Sequence, residues 1–114
     1  MKKEIITAAA ALAMAVPMTA QIGTNPQWLD NAVFYQIYPS SYMDTDGNGI
    51  GDLPGITSRL DYIKSLGVDA LWLNPVFESG WFDGGYDVID FYKIDPRFGT
   101  NEEYKALVDA CHRK

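Results

Sequence analysis

The chain has one cysteine, Cys111, and one histidine, His112. A lone thiol forms no intramolecular disulfide, so stability has to come from packing or from a bound ion. With no Cys-x-x-Cys spacing and no second histidine, we read Cys111 as a small buried hydrophobe and His112 as a solvated helix-end residue, not as a nucleophile or zinc ligand. Basic residues are scarce as well: 9 Lys and Arg stand against 15 Asp and Glu, a formal charge of -6. That balance excludes a general nucleic-acid binder, which needs a basic face to neutralise phosphates.

A long apolar run is also missing. The stretch Ile5 to Val16 falls short of the roughly 20 apolar residues that a membrane-spanning helix needs. Lys2 and Lys3 precede it, and Pro17 and small residues near Ala20 follow, which is the order of a secretory signal. Residues 1–20 are therefore expected to be a signal peptide cleaved at Ala20-Gln21, with Ala13-Met14-Ala15 as a second candidate site. The protein is expected to be secreted or periplasmic, with no membrane span after cleavage. The competing reading is an Ala-rich N-terminal helix or anchor.

What the chain does have is an acidic, glycine-spaced stretch from Asp44 to Asp52. Oxygen side chains recur at Asp44, Asp46, Asn48 and Asp52, with Gly47, Gly49 and Gly51 between them. Calcium takes six to eight oxygen ligands in flexible geometry, and such a loop adds a backbone carbonyl where the side chain is apolar, here Ile50. Three carboxylates this close repel one another unless a cation neutralises them. An EF-hand is excluded, because its twelfth position needs a bidentate Glu and counting from Asp44 reaches Gly55.

Residues 21–31 read as a polar lead, broken at Asn25-Pro26, with Trp28 as a packing anchor. Val33 to Tyr38 is β-branched and aromatic without clean alternation, as in a strand covered on both faces. After the acidic loop, Ile56, Leu60, Ile63 and Leu66 recur at helical spacing, and Gly67 follows as a left-handed stop. Val68 to Leu73 is a second buried strand, with Trp72 in the core, halted at Asn74-Pro75. A long loop from Val76 to Gly99 holds Trp81-Phe82, Gly84-Gly85, Tyr86-Asp87 and a short strand over Val88 to Ile94. Thr100 and Glu103 have capping-box spacing, and Tyr104, Leu107, Val108 and Cys111 form the apolar face of a second helix.

A strand, a helix and a strand in that order imply parallel, right-handed pairing. Both long glycine- and aromatic-rich loops follow the carboxyl ends of strands, where parallel α/β folds build their sites. The expected class is α/β: the first two βα units of a TIM (β/α)8 barrel, truncated, spanning residues 32–114. A whole barrel of that kind takes about 250 residues.

Several stretches together carry a family resemblance. They are Val33 to Pro39, Asp44 to Ile56, Leu60-Asp61-Tyr62-Ile63, Leu66-Gly67-Val68, Trp72 to Val76, Gly85-Tyr86-Asp87 and Asp95 to Thr100. In that order they resemble the start of the α-amylase family of glycoside hydrolases, in its oligo-1,6-glucosidase, α-glucosidase and trehalose-synthase branch. The resemblance implies that Asp44, Asp46, Asn48, Asp52 and the Ile50 carbonyl hold a structural calcium ion. It implies that Tyr86 stacks under a sugar and that Asp87 holds hydroxyls of a terminal glucose of an α-glucan oligosaccharide. A phenol face suits a pyranose, and a carboxylate accepts two hydroxyl hydrogen bonds. Trp81 and Phe82 are weaker candidates for the rim of the same pocket, and Asn74 for orienting backbone near it.

Retaining glycosidases need two carboxylates about 5 Å apart across the scissile bond. In the family these come from later strands, so neither Asp87 nor Glu78 is cast in that role, and this chain alone is expected to be inactive. No protein partner is implied. Two other readings compete. One is a non-catalytic relative, like the barrel-bearing heavy subunits of amino-acid transporters, which are membrane-anchored. The other is a calcium-dependent binding module of the dockerin kind, which needs a second loop.

Overall fold

The computed structural model describes residues 23–114; the signal-peptide expectation for residues 1–20 lies outside the described residues. The chain divides into two units, Met1–Asp30 and Asn31–Lys114. In the described part of the first unit, Pro26 starts a 3-10 turn, with the Leu29 N–H bonded to its carbonyl at 2.9 Å. That turn, Gln27–Asn31, buries none of its residues, and Trp28 is 60% exposed instead of acting as a packing anchor.

The second unit begins with strand β1, Phe34–Ile37, and a one-turn 3-10 helix at Pro39–Ser41. Helices α1, Leu53–Ser58, and α2, Leu60–Ser65, lead to strand β2, Ala70–Leu73. Strands β3, Phe77–Ser79, and β4, Val88–Ile94, follow, and the unit closes with helix α3, Asn101–Arg113.

Strands β1 and β2 pair in parallel, from Phe34 opposite Ala70 to Ile37 opposite Leu73. Both ends of the ladder are tied. The Asp69 carboxylate accepts the Val33 N–H at 2.9 Å, and the Asn74 N–H reaches the Ile37 carbonyl at 2.9 Å. Tyr35, Leu71 and Leu73 pack against the core, whereas Phe34, Gln36 and Trp72 alternate with them on an exposed face. The expectation of strands covered on both faces, with Trp72 in the core, therefore fails within this chain: the pair is covered on one side.

The single helix expected after the acidic loop is two short ones. Arg59 breaks the run at φ -106° and ψ 5°. The side chains just before it compete for helical carbonyls: Thr57 Oγ1 donates to the Leu53 carbonyl at 3.1 Å and Ser58 Oγ to that of Gly55 at 2.7 Å. The apolar stripe survives the break, because Ile56, Leu60 and Ile63 are all buried. Leu66 leaves the stripe and is exposed, since it caps α2 just before Gly67 turns the chain at φ 82°.

Ile56, Leu60 and Ile63 join Ile37, Leu53, Val68, Val76, Ile94, Phe98, Leu107 and Ala110 in one core. Burying an aliphatic or phenylalanine side chain of this size contributes roughly 1.5–3 kcal/mol. Helix α1 is tied to the segment leading into α3 by the Leu53 N–H, which donates to the Phe98 carbonyl at 2.9 Å. Helix α3 carries the full capping box expected of Thr100 and Glu103. Leu107 is buried in it and Tyr104 and Cys111 pack at its edge, as expected, while Val108 stays outside the core and Ala110 is buried in its stead. Burial also pushes the Cys111 thiol up, which favours the protonated form. His112 is exposed in the last turn.

The segment between β2 and α3 is more regular than expected. β4 takes the predicted place, and β3 pairs with it antiparallel, with register irregularities on both sides of Glu78. Among the described residues no helix is long and apolar enough to cross a membrane.

Candidate functional site

The acidic loop is built by its own side chains. Asp44 Oδ1 accepts the N–H groups of Asp46 and Gly47 at 3.2 and 2.8 Å, and Oδ2 accepts that of Gly49 at 2.8 Å. Asp46 accepts the Asn48 N–H at 3.0 Å, and Asn48 accepts that of Ile50 at 2.8 Å. Left-handed glycines, Gly47 at φ 79° and Gly49 at φ 89°, allow these successive turns. The Gly49 N–H holds the Asp44 carboxyl below the usual carboxylate range, against partial desolvation and with further help from Gly47 and Asp46.

The loop brings one carboxylate oxygen each from Asp44, Asp46 and Asp52 within 4.8 Å of one another. Three hard, anionic donors at that spacing fit a calcium-type ion in chemistry and reach. Asn48 lies exposed in the same loop. Ile50 is half-buried, its side chain packed on the core, which anchors the loop's end. Asp52 is buried at 6% exposure and has a second task. Its Oδ1 caps α1 through the Gly55 N–H at 2.7 Å, while Oδ2 accepts both the N–H and the hydroxyl of Thr45 at 2.8 Å.

Tyr86 is 65% exposed beside Gly84 and Gly85, which take φ values of 58° and 95°. Asp87 is held from three sides. Oδ1 accepts from Ser79 Oγ at 3.0 Å and the Asp83 N–H at 3.2 Å, and Oδ2 from the Phe82 N–H at 3.1 Å. Desolvation pushes this carboxyl up, and the hydrogen bonds from Phe82, Ser79 and Asp83 outweigh it, so Asp87 lies below its usual range and is anionic at neutral pH.

The weaker candidates separate. Phe82 is 95% exposed, while Trp81 turns inward. Its ring meets Phe98 edge-on at 5.5 Å and lies under the Arg97 guanidinium at 3.8 Å. Its indole N–H donates to Asp95 Oδ2 at 2.9 Å. Asn74 accepts from Gln36 Nε2 at 3.0 Å and so ties β1 to the turn after β2. Glu78 is paired with Lys93 at 2.9 Å.

Sequence reasoning gave Asp95 and Arg97 no individual role, although both lie in a stretch that carried the resemblance. Asp95 is a buried carboxylate, 7% exposed, that also accepts the Ser79 N–H at 3.3 Å and the Arg97 N–H at 3.0 Å. Desolvation raises its pKa, but the donors from Arg97, Trp81 and Ser79 prevail and hold it low. The Asp-Pro-Arg order was the available signal, since a charged pair flanking a proline is costly to bury without partners.

A family model described as the α-amylase catalytic domain matches residues 36–114. The chain is 52% identical over 88 residues to an oligo-1,6-glucosidase of Heyndrickxia coagulans, covering 77% of this chain and 16% of that protein. It is 55% identical over 91 residues to maltase A2 of Drosophila melanogaster, covering 79% of this chain and 16% of that one. Among solved structures, the isomaltulose synthase SmuA of Protaminobacter rubrum matches with a TM-score of 0.75 and 48% identity, over 79% of this chain and 16% of that one. The chain thus spans about a sixth of the length of these relatives. With the family model matching most of the chain and relatives about half identical over more than three quarters of it, the chain belongs to the α-amylase family.

Proposed function

We propose that this chain is the amino-terminal part of an exported glycosidase acting on α-glucosidic bonds of starch- or maltodextrin-type sugars. In this reading, β1 to α3 are the first two βα units of a (β/α)8 barrel. Tyr86 offers its exposed ring to a pyranose. Asp87 accepts hydroxyls of a terminal glucose, and Asp44, Asp46, Asn48, Asp52 and the Ile50 carbonyl hold calcium as a structural ion. The observation that carries the sugar site is Asp87 itself: a carboxylate fixed by three donors, anionic, and next to an exposed tyrosine. Pre-fixing the acceptor lowers the ordering cost of binding.

Hydrolysis with retention requires a nucleophile and an acid facing each other across the bond. Glu78 is paired with Lys93 and Asp95 is enclosed, so neither serves, and this chain alone is inactive. The test is made on the complete protein. Asp87→Ala is expected to lower kcat/KM on maltose-sized substrates by about tenfold or more, because charge-assisted bonds to hydroxyls are lost. Equal loss on long internal chains overturns a pocket that reads a terminal sugar, and sugar binding without any hydrolysis replaces the enzyme by a non-catalytic carbohydrate-binding relative.

A further inference from the structure

Trp81 is the one non-glycine residue with positive φ among the described residues, at 60°. Bulky side chains avoid that region, and a residue is kept there only when its surroundings hold it. Here they do. The indole N–H is bonded to Asp95 Oδ2, the guanidinium of Arg97 covers the ring, and Phe98 abuts its edge. The Trp81 main-chain N–H donates to Ser79 Oγ at 2.9 Å, and that hydroxyl in turn donates to Asp87 Oδ1 at 3.0 Å. The next main-chain N–H, of Phe82, donates to Asp87 Oδ2.

We propose that Asp95 is a positioning residue for the sugar-binding carboxylate: it latches Trp81 in its strained conformation and thereby aims Ser79 Oγ and the Phe82 N–H at Asp87. The inference rests on the reading of Asp87 given above. Asp95 touches the chain at two points where β3 gives way to the turn, the Ser79 N–H and the Trp81 indole. It is also clamped from behind by Arg97, whose N–H donates to Oδ1 and whose Nε lies 3.4 Å from that oxygen as an ion pair. That Nε is buried without a hydrogen bond, so the guanidinium is held there by charge and by the indole face rather than by donor geometry. Releasing the indole frees Trp81 to leave φ 60°, and two of the three donors that orient Asp87, Ser79 Oγ and the Phe82 N–H, turn away with it.

The test uses the complete protein and reads the ratio of kcat/KM on maltose to that on a long glucan, with Asp87→Ala as reference. Asp95→Ala and Trp81→Phe are each expected to lower the ratio by about tenfold, the scale of one lost oriented hydrogen bond to a charge. Neither is expected to lower it further when combined with Asp87→Ala, because residues acting as a unit are not additive. Asp95→Asn, which keeps an acceptor for the indole, is expected to restore part of the ratio. The indole N–H resonance of Trp81 is expected to lose its exchange protection in Asp95→Ala. If Asp95→Ala does not fold, Trp81→Phe decides by the same ratio. A ratio that falls in Asp87→Ala but not in Asp95→Ala or Trp81→Phe overturns the latch and leaves the sugar site standing. A ratio unmoved by Asp87→Ala overturns both.

Discussion

Asp52 caps helix α1 through Gly55, with Oδ1 accepting its N–H at 2.7 Å, while the same carboxylate belongs to the acidic triplet of the preceding loop. One side chain therefore serves a helix and a candidate cation at once, and the two roles separate by substitution. Asp52→Ala is expected to cost about 1–3 kcal/mol with or without calcium, as a buried cap and the Thr45 bonds are lost. Asp46→Ala is expected to abolish only the part of the melting temperature that calcium adds, because Asp46 is exposed. Calorimetric titration of calcium into each variant checks this, and a melting temperature unmoved by chelation in the unsubstituted protein removes the metal.

Gly55 is a stricter requirement than Gly47 or Gly49. A Cβ there would lie 2.1 Å from the Met43 carbonyl oxygen, whereas one at Gly47 meets nothing within 4 Å. Gly55→Ala is expected to destabilise by about 2–4 kcal/mol through backbone displacement, and Gly47→Ala by about 1 kcal/mol through its positive φ alone. Urea unfolding of both variants measures the difference, and similar losses in the two would contradict the close approach.

Thr100 is bonded reciprocally with Glu103, its hydroxyl accepting the Glu103 N–H at 3.2 Å and its own N–H reaching Glu103 Oε2 at 3.0 Å. Thr100→Ala is expected to cost about 1 kcal/mol and Thr100→Ser much less. Thermal unfolding of the pair tests it: equal losses for Ala and Ser would mean the methyl, not the hydroxyl, matters.

The Asp95 carboxyl is held below its ordinary value in the folded chain. As the unfolded state takes up the proton first, this group stabilises the fold fully above about pH 4 and the contribution disappears as pH falls through the lower folded value. The melting-temperature gap between the unsubstituted protein and Asp95→Asn should therefore be widest near neutrality and close in acid. Parallel curves across that range would show that Asp95 does not titrate with folding.

Much of this was legible locally. The strand at Phe34, the turn at Gly67, the capping box at Thr100 and the oxygen spacing of Asp44 to Asp52 depend on neighbours within a few residues, and short-range chemistry writes them into the sequence. Parallel pairing of β1 with β2 was legible too, because a helix between two apolar strands permits little else. The break at Arg59 escaped notice, since it depends on hydroxyls of Thr57 and Ser58 choosing backbone carbonyls. So did strand β3, where three residues are too few to show a period.

Residue order by itself determined the family and the glycine-spaced run of oxygen side chains, because each is carried by contiguous residue types and their spacing. Only the tertiary structure decided that Trp81 faces inward while Phe82 faces out, and that Asp95 and Asp87, eight positions apart, are bridged through Ser79. The physical reason is that a buried carboxylate collects whatever donors the fold brings within about 3 Å of it, and in this hairpin those donors come from opposite sides of the turn.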